Sequence, residues 1–291
     1  MKEKPMIRAF FDEPTNTVSY LVADLATRNA AVIDPVLDYD HKSGEVDVRS
    51  VSEILREANV LGLTIGWVLE THAHADHLSG APFIKAKTGA KVGIGEHIKD
   101  VQRIFRPLFN IDDLKTDGSD FDHLFCDGEI FSIGNLNVEV IYTPGHTPAD
   151  VCYKIGDAVF VGDTMFMPDY GTARADFPGG DARQLHRSIM KILALPSATR
   201  LFMCHDYKAP ARDHYAWETT VEEQRQNNVH VGAGHTEDEF VATRQARDAT
   251  LAAPTLLLPS IQVNIRAGAF PAGENNGVRY LRIPVIFKSQ G

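Results

Sequence analysis

Apolar positions along this chain repeat with two periods, and each change of period marks an element. Residues 16–24 (NTVSYLVAD) and 29–34 (NAAVID) alternate or run apolar in short β-rich stretches, and the polar turn at Thr27 and Arg28 between them predicts a strand pair. Val48, Val51, Ile54, Leu55 and Ala58 then recur at helical spacing after an acidic start at Glu45 and Asp47. Residues 64–70 (TIGWVLE) read as a buried strand, and 80–87 open a helix. Strand, helix, strand in this order favours a layered α/β fold. A short strand at 91–94, a helix at 97–109 and a polar connection at 110–122 follow. From Phe125 the pattern turns to successive strands at 129–133, 136–142, 151–155 and 158–161, with Gly134-Asn135 and Gly156-Asp157 at the hairpin turns. Helical stretches at 181–195, 212–228 and 236–248 and a buried strand at 201–204 (LFMC) complete the reading, ahead of a tail bearing Pro and Gly.

No linker rich in Pro, Ser or Gly divides the chain, so residues 1–291 are expected to form a single domain, with a C-terminal extension from about residue 208 packing on it. The net charge of -10 argues against nucleic-acid or anionic-membrane partners, which need a basic face. Residues 1–11 carry basic side chains but are broken by Pro5 and lack the apolar run of a secretory signal, and no stretch is long enough to span a bilayer. A cytoplasmic enzyme is the expectation. Cys126, Cys152 and Cys204 are odd in number and far apart, which fits reduced thiols.

The chemistry concentrates in residues 71–78, Thr-His-Ala-His-Ala-Asp-His-Leu, between a strand end and a helix start. His72, His74, Asp76 and His77 lie within six positions, close enough to share a metal ion and too dense for an ordinary solvated loop. Further candidates also follow strands: His146 in TPGHT, Asp163 in VGDT and His205 in CHDY. Gly145 and Gly162 let the backbone turn sharply just before His146 and Asp163. Taken singly, His146 or His205 has an ordinary polar turn residue as its lesser reading. With the first cluster, they point into one crevice.

In this order THAHADH, TPGHT, VGDT and His205 resemble the metallo-β-lactamase superfamily, over residues 18–207. The resemblance implies an αββα sandwich, two mixed β-sheets flanked by helices, with a metal site on one edge between them. Residues 171–177 (GTARADF) and 204–207 (CHDY) are similar to the persulfide (sulfur) dioxygenases, and 259–264 (PSIQVN) with 276–280 (NGVRY) to a longer bacterial subgroup of them. That branch implies one Fe(II) per chain held by His72, His146 and Asp163. His74, Asp76, His77 and His205 would surround it, with Asp76, His77, His205 and Tyr207 serving catalysis. The reaction implied oxidises glutathione persulfide with O2 to sulfite and glutathione. Arg174 is the candidate partner for a glutathione carboxylate, against a plain ion pair with Asp176. Tyr207 would reach the substrate sulfur or pack beneath the site. Cys204 could accept persulfide sulfur, but a thiol ending an apolar strand is more often core. A sulfurtransferase and a second copy of the chain, the latter against the tail after Ala252, complete the expected partners.

The same ligands fit the binuclear glyoxalase II branch, a hydrolase of thioesters, and a lactonase of similar chemistry. There His72, His74 and His146 would hold one ion, commonly zinc, and Asp76, His77 and His205 the other, with Asp163 bridging. A non-catalytic metal sensor is the third reading, and the retention of every ligand position weighs against it. Spacing alone does not count the metals.

Overall fold

The computed structural model describes residues 4–287. In chain order the first half contains β1 (Met6–Asp12), β2 (Thr17–Ala23), β3 (Asn29–Ile33), β4 (Val36–Asp40), β5 (Glu45–Asp47), α1 (Arg49–Val60), β6 (Thr64–Leu69), β7 (Leu78–Ser79), α2 (Ala81–Thr88), β8 (Lys91–Gly95), α3 (Ile98–Leu108) and β9 (His123–Phe125). The second half contains β10 (Ile130–Ile133), β11 (Leu136–Tyr142), β12 (Val151–Ile155), β13 (Ala158–Phe160), α4 (Ala182–Leu193), β14 (Arg200–Phe202), β15 (Glu218–Thr220), α5 (Val221–Asn227), α6 (Glu237–Asp248) and α7 (Leu257–Asn264). One six-stranded sheet runs β1-β2-β3-β6-β8-β9, a second runs β10 through β15 in sequence order, and β5-β4-β7 form a small third sheet. Both large sheets are mixed: β3, β6, β8 and β9 pair in parallel in the first, and β13 with β14 in the second.

The period of two explains the layering. On β2, Val18, Tyr20 and Val22 face the second sheet and meet Val138, Val140, Tyr153 and Phe160, while Leu21 and Ala23 face the other way, toward Val51 and Ile54 of α1. α2, α3 and α7 cover the same outer face through Ile84, Phe105 and Ile261. The outer face of the second sheet is closed by Leu185, Ile189 and Ile192 of α4, Val221 of α5 and Phe240 of α6. The order of layers is therefore helix, sheet, sheet, helix, the αββα architecture expected from the sequence.

Three segments differ from that reading. Residues 6–12 form β1, antiparallel to β2, because every residue from Met6 to Asp12 finds a register partner there. Residues 1–3 of the N-terminal stretch lie outside the described residues. The predicted helix at 212–228 is helical only from Val221, because Arg212 is held by Asp206 and Asp169 and residues 218–220 pair with β14. The Thr220 side chain then caps α5 by accepting from the Glu223 N–H. In the tail, α7 forms despite Pro259, which falls in the first turn where no intrahelical N–H is required. No helix among the described residues is long and apolar enough to cross a membrane.

His230, just after α5, ties this half together: its Nδ1 accepts from the Thr172 N–H at 3.0 Å and meets the Thr172 hydroxyl at 3.1 Å. Burial, then the charges of Arg244 and Arg247, hold its pKa down from 6.5 to about 4. Between those values an unfolded chain binds this proton and the folded one does not, so stability falls as pH drops from 6.5 toward 4. The expected loss is on the order of 2–3 kcal/mol. His230→Gln, which keeps an acceptor but has no proton to gain, should flatten that part of the acid limb in denaturant titrations run across this range. An unchanged limb contradicts the assignment.

Candidate metal centre

Every candidate ligand sits where a strand stops. β6 ends at Leu69 and releases the 71–77 loop, the β11 to β12 connection carries His146, the turn after β13 carries Asp163, and His205 follows β14. Two close approaches make these turns possible. Gly145 has φ 144°, and a Cβ there would meet the Leu185 backbone at 2.3 Å, while Gly162 has φ 51° and lies 2.7 Å from Thr71 Oγ1 by the same measure. A bridge between Thr17 and His205 ties the last ligand to the start of β2.

Donor atoms within 4.8 Å of one another form four overlapping groups: Asp34, His74 and Cys204; Asp163, Cys204 and His205; and the two that hold the candidate ligands, His72, His146 and Asp163, and His74, Asp76, His77 and His205. Asp163 lies between them, with Oδ2 3.9 Å from His72 Nε2 and 3.5 Å from His146 Nε2, and Oδ1 3.4 Å from His205 Nε2. Asp76 Oδ2 is 3.2 Å from His205 Nε2 and 3.7 Å from His77 Nδ1. His72 Nε2, His74 Nδ1, His77 Nε2, His205 Nε2 and Asp163 Oδ1 are buried with no hydrogen-bond partner. Each such orphan costs about 1–3 kcal/mol, so five converging on one crevice fit a bound metal and little else. Histidines and aspartates of this kind make a metal-binding site.

The opposite ring nitrogens explain why these atoms are lone pairs. His146 Nδ1 donates to the Arg174 carbonyl at 2.8 Å, and His205 Nδ1 to the Asn16 carbonyl at 3.2 Å. Asp34, at the end of β3, accepts from the Thr71 hydroxyl at 2.9 Å and from His74 Nε2 at 2.9 Å. Since the Thr71 proton is spent on Asp34, His72 Nδ1 must donate to Thr71 Oγ1, 3.0 Å away, leaving Nε2 bare. Burial would raise the Asp34 pKa, but His74 and the Thr71 hydrogen bonds outweigh it and keep the carboxylate ionised. Burial likewise works against charge on His74, yet Asp34 and Glu70 push its pKa well up, whereas burial and the neighbouring His74 and His146 push His72 well down. Burial would raise Asp76 too, and His205 and His77 bring it well below the usual carboxylate range.

A cavity of about 540 Å³ opens over Asp76, His146 and Asp163, walled by Phe166, Tyr170, Phe177 and Tyr207. Tyr207 lies flat against His205, the ring centroids 5.6 Å apart. Arg174 lines this cavity, but its guanidinium is committed: Nε and Nη2 donate to Asp176 at 2.6 and 2.8 Å and Nη1 to the Ala252 carbonyl at 2.7 Å. The structural pair with Asp176 is thus the arrangement present. Cys204 is buried beneath the centre, 3.7 Å from Asp34 Oδ2, and burial followed by Asp34 raises its pKa well above the thiol range, so it is a protonated core thiol. None of the three cysteines is in a disulfide.

Asp34 and Asn264 belong to the site but were not among the residues that sequence reasoning singled out. Asp34 carried one signal, a carboxylate closing an apolar strand. Asn264, at the end of α7, is 4% exposed and clamps the ligand loop: its Nδ2 donates to the His74 and His77 carbonyls at 2.8 and 2.7 Å, and its Oδ1 accepts from the Ser79 N–H at 2.9 Å.

A family model described as the metallo-beta-lactamase superfamily matches residues 12–205. The chain belongs to the metallo-β-lactamase superfamily. This superfamily chain is 51% identical to a protein named "Probable metallo-hydrolase" from Burkholderia pseudomallei (strain 1710b), covering 96% of this chain and 98% of that one. It is 50% identical to the "Beta-lactamase hydrolase-like protein" of Xylella fastidiosa, over 97% of its own length but only 65% of that protein's. At greater distance it is 27% identical to mouse mitochondrial "Persulfide dioxygenase ETHE1", over 90% of this chain and 89% of the other. The crystal structure of ETHE1 from Myxococcus xanthus superposes with a TM-score of 0.73 at 29% identity, over 91% of this chain and all of that one.

Asn264→Ala should leave the fold in place and loosen the loop, weakening metal retention about 10–100-fold. Metal content after graded chelator challenge, read beside the melting temperature of the metal-free protein, measures this. Unchanged retention would show the clamp to be irrelevant to the metal.

Proposed function

We propose that the chain is a mononuclear Fe(II) persulfide dioxygenase, acting on glutathione persulfide with O2 to give sulfite and glutathione. The observation that carries this reading is the compact trio of two imidazoles and one carboxylate, His72, His146 and Asp163, whose donor atoms lie within 4.8 Å of one another. Two imidazoles and one carboxylate leave positions vacant on a metal, which suits Fe(II), whose role when bound is to supply the redox chemistry for oxygen transfer. The likeness to ETHE1 from Myxococcus xanthus supports the same reading.

The remaining roles belong to the protein. Asp163 Oδ2 faces both His72 and His146 and fixes the carboxylate vertex. The Arg174 carbonyl keeps the His146 proton on Nδ1, and Thr71 keeps that of His72 on Nδ1. Phe166, Tyr170, Phe177 and Tyr207 give the cavity aromatic walls beside the donors. Asp76, 21% exposed and 3.2 Å from His205 Nε2, stays ionised at the cavity floor and is placed to accept a hydrogen bond there.

A binuclear hydrolase of thioesters or lactones is the second reading, and resemblance by name favours it. The relatives at 51% and 50% identity carry hydrolase names, whereas the persulfide dioxygenase of mouse is 27% identical. In that case the bare Nδ1 of His74 would join His72 and His146, and Asp76, His77 and His205 would hold a second ion against Asp163. The metal count separates the two. Protein purified anaerobically should hold about one iron per chain and take up O2 when glutathione persulfide is added; two zinc ions with rapid thioester hydrolysis would reverse the ranking. Asp163→Ala should lose both iron and O2 uptake, and a variant that keeps either removes Asp163 from the ligand set.

A further inference from the structure

Three arginines line the cavity over the metal centre: Arg174, Arg244 and Arg247. Two are spent. Arg174 is engaged with Asp176 and the Ala252 carbonyl, and Arg244, 2% exposed, with Asp248 at 2.6 Å and the Thr172 carbonyl at 3.0 Å. Arg247, on the last turn of α6, has no ion pair or side-chain hydrogen bond among the described residues. Its guanidinium lies 5.5 Å from the centre of the Tyr170 ring, which steadies its plane through cation–π attraction while leaving the N–H fork unused. The position is distinctive because the protein is otherwise acidic, with a net charge of -10, so one free cation beside this cavity supplies a local attraction that the overall charge does not.

The cavity is consequently polarised along its length. A row of rings leads from the donors to the unpaired guanidinium: Tyr207 lies 5.6 Å from the His205 ring, Tyr170 lies 5.2 Å from Tyr207, and Arg247 lies 5.5 Å from Tyr170. A volume of about 540 Å³ suits a small-molecule ligand with a soft reactive end and an anionic far end. We infer that Arg247 is the specificity-determining residue of this site, pairing through its fork with a terminal carboxylate of a tripeptide-sized thiol carrier whose sulfur end lies at the metal donors. This takes over the role the sequence suggested for Arg174, and it rests on the thiol-carrier reading above without depending on which reaction follows.

The test is binding of glutathione itself to the metal-loaded protein, by calorimetry, which needs no turnover. Arg247→Gln should weaken binding about tenfold or more, the range lost with a charge-assisted hydrogen bond. Arg247→Lys should recover part of it, since a point charge remains but the fork is lost. Glutathione carboxamides, one for each carboxylate, should bind the wild type as weakly as glutathione binds Arg247→Gln at one position, and Arg247→Gln should no longer tell that amide from the acid. With persulfide as substrate the loss should appear in KM while kcat stays within about twofold. A wild type that does not bind glutathione, or Arg247→Gln binding it equally well, overturns the inference. Arg247-dependent binding without O2 uptake leaves it standing and removes the dioxygenase reading instead.

Discussion

The centre depends on one buried carboxylate that need not touch the metal. Asp34 accepts from Thr71 and from His74 at once, and those two bonds decide where the protons of His72 and His74 reside. A carboxylate only accepts, so the direction of each bond is fixed by chemistry and passes along the chain of groups to the metal-facing nitrogens. Replacing that carboxylate by an amide would let either histidine take the other tautomer. The cost of burying Asp34 is offset by the hydrogen bonds it receives, and the resulting strictness of orientation is what a metal site needs.

Around that root, the fold assembles ligands from distant parts of the sequence. The first sheet supplies the 71–77 loop, the second supplies His146, Asp163 and His205, and the shared core of Val18, Tyr20, Tyr153 and Phe160 sets the spacing between them. Tyr20 joins the halves directly, donating its hydroxyl to the Met203 carbonyl at 2.5 Å, and Tyr153 donates to the Glu70 carbonyl at 2.9 Å from the other side. Residues beyond the superfamily match also contribute. α6 and the chain after it form the far end of the cavity, and α7 reaches the ligand loop through Asn264.

Much of this was legible in the sequence, for reasons that differ by element. A layered α/β fold was legible in the strand, helix, strand order from β2 to β6, the αββα order came only with the family resemblance, and the ligand set was legible because HxHxDH, TPGHT and VGDT bring polar residues to strand ends where packing alone would not place them. β1 escaped notice because its residues are half-buried on both faces, so no alternation survives. The segment 212–228 misled because its composition is helical while a pairing with β14, a tertiary contact, decides its first part. Arg174 shows the limit most clearly: its motif named a guanidinium near the substrate, and only the structure shows that Asp176 occupies it while Arg247, in no recognisable motif, stays unpaired.

The central claim is that His72, His146 and Asp163 hold one ion and that His74, anchored to Asp34 through Nε2, does not coordinate it through Nδ1. Anomalous diffraction at the iron edge from crystals of anaerobically iron-loaded protein tests it most directly. The account predicts a single peak among those three side chains, with His74 Nδ1 outside coordination distance of it. Two peaks about Asp163, with His74 coordinating one of them, would contradict it.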